Sequence, residues 1–158
     1  MSVYKDLLDF AGGKRHPKDW YRVQVMQLLQ PVELFDLRKG DVIFYPYQAE
    51  TAEKLPWWDK FPLMMITYIN FSNNQLSGGN LHYLRPEVAV SIGANWKAGA
   101  RSFPMRCYHK YFLSNAGTAY KVPKDELDSI GKLPLEQFTT TTGGYNVDIP
   151  SSFVWSRM

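Results

Sequence analysis

Between Gly40 and Leu84 short apolar runs alternate with breaker residues, and no other stretch restricts the fold as strongly. Asp41-Val-Ile-Phe-Tyr45 is the first run, Leu63-Met-Met-Ile-Thr-Tyr-Ile69 the second and Gly79-Asn-Leu-His-Tyr-Leu84 the third. The first two are rich in β-branched and aromatic residues and bounded by Gly, Pro or Asn, the pattern of strands in a small all-β core. The segment between them, closing on Leu55-Pro-Trp-Trp-Asp-Lys-Phe-Pro62, is too long for a tight hairpin. Its Trp57, Trp58 and Phe61 are expected to fold back over the strands, with Pro56 and Pro62 stiffening the backbone. One long loop after a first strand is how a small SH3-like barrel is built. The expected fold class is therefore mostly β with flanking helices: a small SH3-like barrel, an N-terminal helix and an extended C-terminal arm.

The flanks follow from local chemistry. Residues 1–16 form an N-terminal arm in which Val3, Tyr4, Leu7, Leu8 and Phe10 fall on one helical face before Gly12-Gly13 breaks it. Pro17 and Asp19 suit the start of a helix running to about residue 30, and Pro31 closes it. Its face docks on the barrel or on a second protein; Trp20 and Tyr21, side by side, cannot both face one side of one helix. Asn73-Asn74 tolerates the positive φ of a tight turn, leading into a third strand over 75–84. Gly78-Gly79 inside that strand marks a bulge or a close backbone approach. Pro86 opens a short helix ending near Gly93, residues 107–113 read as one or two helical turns, 119–122 as a closing strand, and 123–130 as a helix closed by Gly131. The helix and barrel thus span 17–138. Residues 139–158 have no helical period, yet Tyr145, Val147, Ile149, Phe153, Val154 and Trp155 are too apolar for a free tail. They are expected to lie extended on a neighbouring subunit, anchored by Trp155, with folding back over the chain's own barrel as the alternative.

Little in the sequence points to catalysis. A single Cys107 excludes an internal disulfide, and His16, His82 and His109 make no closely spaced metal-ligand set. His82 reads as a strand histidine and His109 as a surface one. The Cys107 and His109 pair, if helical, would point to different faces. The carboxylates, Asp59 among them, read as capping or loop-edge groups. No catalytic residue, metal or cofactor is expected, and neither a signal peptide nor a membrane span. The net charge of +3 is mild and its basic residues are scattered. Arg101, Arg106 and Lys110, interleaved with aromatics, suit a nucleic-acid surface, but with so small a net charge the expectation favours a protein interface and other virion or protein partners over nucleic acid. The interface residues expected are Trp20, Tyr21, Trp57, Trp58, Tyr145, Ile149, Phe153 and Trp155.

Lys39-Gly-Asp-Val-Ile-Phe-Tyr-Pro-Tyr47, the Leu55 to Leu63 segment and Gly79-Asn-Leu-His-Tyr-Leu-Arg-Pro86 together resemble a family of small structural proteins of contractile-tailed bacteriophages. The resemblance covers about residues 17–138. It implies a non-enzymatic virion component of tail, baseplate, neck or capsid, which docks on other virion proteins through apolar loops and terminal arms. It implies residence in the virion and in the host cytoplasm during assembly. A narrower likeness over 39–69, to barrel-type toxin endoribonucleases, lacks the Gly-Arg-Pro expected before the second strand and has Asp59-Lys60-Phe61-Pro62 instead. The alternative reading is a nucleic-acid-binding barrel, a ribonuclease of that kind or a DNA-handling accessory protein.

Overall fold

The computed structural model describes residues 2–49, 52–100 and 102–157. Two helices lead. α1 (Val3–Ala11) is capped by the Ser2 hydroxyl, which accepts the Lys5 amide, and ends at Gly12, whose φ of 62° a side chain would resist. A remote carboxylate completes the N-terminus: Glu126 accepts the Ser2 hydroxyl at 2.7 Å and the Val3 and Tyr4 amides at 3.2 and 2.9 Å. Burial pushes this carboxyl up, but the Tyr4 amide, the Ser2 hydroxyl and the Val3 amide together hold it below the usual range. The 123–130 acids are therefore not all a solvated face. α2 (Lys18–Leu28) follows, burying Arg22 and Val25.

Among the described residues six strands form one antiparallel sheet: β1 (Gln30–Val32), β2 (Val42–Phe44), β4 (Leu63–Asn70), β5 (Gln75–Asn80), β6 (Tyr108–Phe112) and β7 (Ala119–Lys121), ordered β1-β7-β2-β4-β5-β6. Both faces are covered. Val42, Phe44, Leu63 and Met65 enter one apolar cluster, while Ile43, Tyr45, Met64 and Ile66 enter the other. That double burial is why the first two runs are continuously apolar rather than alternating. The bulge expected near Gly78-Gly79 lies in the partner strand, between Ile66 and Tyr68. Gly78 faces it so closely that a Cβ would stand 1.9 Å from the Met65 carbonyl oxygen. Asn74 turns the hairpin at φ 56°.

Two expected helices change. In place of a helix over 107–113, Tyr108–Phe112 is the strand β6 between two 3-10 turns, because β5 offers a full ladder from Gln75 opposite Phe112 to Gly79 opposite Tyr108, and pairing outweighs a weak local period. α3 (Pro86–Lys97) runs a turn past Gly93, which is inside the helix: a Cβ there would meet the Asp128 backbone at 3.1 Å, where α4 (Leu127–Ile130) packs across it.

The C-terminal segment folds back on its own chain. β3 (Trp58–Asp59) from the long loop pairs with β8 (Phe138–Thr142), which pairs with β9 (Tyr145–Asp148), and α5 (Ser151–Ser156) follows. The extended arm is thus a hairpin and a helical turn. It holds because Val154 is fully buried and Ser151 bonds buried Glu136 at 2.8 Å. The mostly β fold with flanking helices stands.

Candidate functional site

The long loop brings a carboxylate into the centre of the molecule. Asp59, 1% exposed, follows Trp58 in the short β3 strand, where pairing with Phe138 fixes its direction. Its Oδ1 accepts the backbone amides of Phe61 and Gln137 at 3.0 and 3.2 Å. Its Oδ2 meets His82 Nδ1 at 2.8 Å and accepts the Asn80 amide at 3.0 Å. Asn80 also donates to the Tyr111 hydroxyl and accepts the Leu63 and His82 amides, tying β4, β5 and β6 to the pair. Burial alone pushes the Asp59 carboxyl up; the charge and hydrogen bond of His82, with the bonds from Asn80 and Phe61, hold it below the usual carboxylate range. This network was missed in the sequence, where Asp59 reads as a loop-edge acid. The signal is an Asp enclosed by Trp58 and Phe61-Pro62 opposite an Asn-x-His.

Above this network lies a cleft of about 360 Å³. Leu55, Trp57 and Trp58 from the loop line one side, and Tyr83, His109 and Tyr111 the other, with Lys110 and Phe112 at its exposed lip. The walls are aromatic pairs: His109 stacks on Tyr83 at 4.0 Å, and Tyr47 meets Tyr111 edge-on at 4.8 Å. The alternation of β6 points His109 and Tyr111 inward and leaves Lys110 outside. Burial holds the His109 imidazole down to about 4, against the opposing charge of Asp59 and a hydrogen bond to the Arg106 backbone. Its Nε2 is buried without a partner, as is Trp58 Nε1. Tyr83 and Tyr111 are raised above the ordinary phenol range, by burial first and by neighbouring groups including Asp59 second. Both phenols stay neutral at any ordinary pH.

The other expected residues scatter. Trp20 and Tyr21 pack against the core from α2, edge-on to each other at 5.1 Å, with His16 stacked on Trp20 at 3.9 Å. Trp58, expected at an interface, is 3% exposed within its own chain. Trp57 is partly exposed, edge-on to Phe153. Ile149 packs on the core, whereas Tyr145 is 76% exposed. Trp155, expected to anchor on a neighbour, donates its indole N–H to the His82 carbonyl at 2.9 Å. Arg106 and Lys110 are exposed; Arg101 lies outside the described residues.

Cys107 closes a 3-10 turn (Met105–Cys107) and His109 lies in β6, so the two share no helix and the argument from helical faces does not apply to them; the Cys107 thiol is pushed up to about 12 by burial and donates to the Pro104 carbonyl. His82 is tied to Asp59, and its Nε2 is buried. Among the described residues no group of three His, Cys, Asp or Glu could hold a metal, and no helix is long and apolar enough to cross a membrane.

No curated protein and no solved structure matches the chain. A family model does, over residues 8–92, which hold the loop wall of the cleft and the Asp59, Asn80 and His82 network but not β6. Because that match covers more than half of the 158 residues, the chain belongs to the bacteriophage family described as phage T4 terminal DNA protecting protein.

Proposed function

We propose that this chain is a non-enzymatic bacteriophage protein that binds the ends of linear DNA, acting in the virion and in the host cytoplasm during assembly. The observation that carries the reading is the cleft, in which aromatic side chains of the family-matched loop meet a strand with Lys110 at the lip and Arg106 just before it. A DNA end differs from the duplex interior in exposing base faces, and an aromatic surface with cations beside it stacks on those faces while neutralising nearby phosphates. The reading corrects the balance drawn from composition, in which the small net charge ranked protein partners above DNA. A modest charge of +3 is enough where only a few phosphates are contacted. It also favours DNA ends over a place in tail or baseplate.

The strand order supports an SH3-like barrel as the scaffold: β2 pairs with the late strand β7, and the long loop lies between β2 and β4. A second role, docking on other virion proteins, is favoured by the edge strand β9, all of whose residues are exposed.

The test compares linear duplex with a covalently closed circle of the same sequence, by gel shift and by protection from an exonuclease. Linear DNA is expected to bind at least tenfold more tightly and to be protected. The slope of log K against log salt should be shallow, about −2 to −4 for a few phosphates. Arg106→Glu with Lys110→Glu should abolish binding without changing the melting temperature. Equal binding to circle and linear DNA, or none to either, overturns the reading.

A further inference from the structure

We propose that the cleft takes one unpaired terminal nucleobase, so that the preferred DNA end is frayed or carries a short single-stranded extension. The inference rests on the DNA-end reading and adds the form of the end. Its volume of about 360 Å³ is at the low end for small-molecule sites, room for a mononucleotide rather than a duplex.

Two atoms define what that occupant must offer. His109 Nε2 and Trp58 Nε1 both belong to residues lining the cleft, and both are buried without a partner. The hydrogen bond of the His109 ring to the Arg106 backbone favours the protonated ring, so the ring donates it to the carbonyl; with Nε2 free of any partner the donor is Nδ1–H, and in the neutral ring Nε2 is an acceptor. The Trp58 indole N–H is a donor. A phosphate, which only accepts, would satisfy Trp58 and leave His109 unmet. An apolar ring would satisfy neither. A nucleobase edge carries donor and acceptor side by side and fits between aromatic walls. In a closed base pair that edge is already used by the pairing partner, so the base must be unpaired. Lys110, exposed at the lip, is placed for the phosphate that joins this base to the rest of the strand.

The test uses the full chain and duplexes ending in a one-nucleotide extension, with either a base or an abasic residue at that position. The extension with a base should bind about tenfold more tightly, the contribution of one stacked base. A 2-aminopurine placed there should change fluorescence on binding, and the same probe two positions inward should not. His109→Phe, which keeps an aromatic wall but removes the acceptor, should shrink the tenfold preference to less than about threefold. Should that variant fail to melt cooperatively, the wild-type chain supplies the second measurement: deoxynucleoside monophosphate should compete for the extension and deoxyribose phosphate should not. Equal affinity for base and abasic extensions, or competition by deoxyribose phosphate alone, overturns the inference while leaving end binding in place. Equal affinity for linear and circular DNA instead overturns the DNA-end reading itself.

Discussion

The loop over 55–62 and the chain after Phe138 look alike in sequence, both irregular, Pro-punctuated and aromatic, but the structure uses them in opposite ways. The loop delivers its polar residue inward: Asp59 is buried and held by four protein donors, and Trp58 beside it is covered. The C-terminal segment delivers Val154 inward and leaves the whole of β9 in water, with Tyr145 76% and Val147 51% exposed. A buried charge with every partner supplied has one arrangement, whereas an apolar side chain on an edge strand is free to meet whatever arrives. The loop is thus a fixed wall of the cleft, and the hairpin is a surface.

Four changes would break or sharpen that contrast. Asp59→Ala should have the largest effect, about 3–5 kcal/mol lost in urea unfolding, because it strands His82 and the amides of Phe61 and Gln137. Wild-type stability should also depend on this carboxylate in acid. Its folded pKa lies below the unfolded value of about 3.9, so the stabilisation is complete above that value and is lost as pH falls through the depressed one. Denaturation midpoints between pH 6 and pH 2 should therefore fall more steeply for wild type than for Asp59→Asn; parallel profiles would remove Asp59 from the centre of the network.

Deleting residues 151–158 comes next. It uncovers the space filled by Val154 and releases Trp155 and Ser151, and should lower stability by at least about 2 kcal/mol. An unchanged melting temperature would mean the segment is not held by its own chain, the reading first drawn from its lack of period. Trp155→Phe keeps the ring and loses the donor to the His82 carbonyl, so about 1 kcal/mol is expected by chemical denaturation. Smallest of all, Tyr145→Ser with Val147→Ser should stay within about 0.5 kcal/mol per site, since neither side chain is buried. A larger loss on thermal melting would place β9 inside the cooperative core.

Much of the site was half visible. The Trp-Trp-Asp loop announces itself by enclosing aromatics between prolines, but the alternation that suggests a strand through His82 misleads: β5 ends at Asn80, which caps a 3-10 turn over Leu81–Tyr83, and nothing local says that the loop and this turn meet. The second wall was misread: Tyr108 to Phe112 has aromatic residues at positions that suit either a helical turn or a strand, and the ladder with β5 decided it. His109 consequently passed for a surface residue. Trp58 passed for an anchor because a large apolar residue in a loop is equally able to serve its own core or a neighbour's.

The sequence by itself determined the features whose causes lie within a few residues. Continuous apolar runs at 42–44 and 63–66 require two covered faces, Asn74 provides the positive φ of its hairpin, and Ser2 and Gly12 cap the first helix. Tertiary structure alone decided the rest, because each remaining feature depends on groups far apart in the chain. Asp59 is held by His82 and by the Gln137 amide, 78 residues away, and Trp155 is fixed by a carbonyl 73 residues before it. No local pattern encodes such meetings; they form only when long-range strand pairing has brought the backbone together and excluded water from the groups inside.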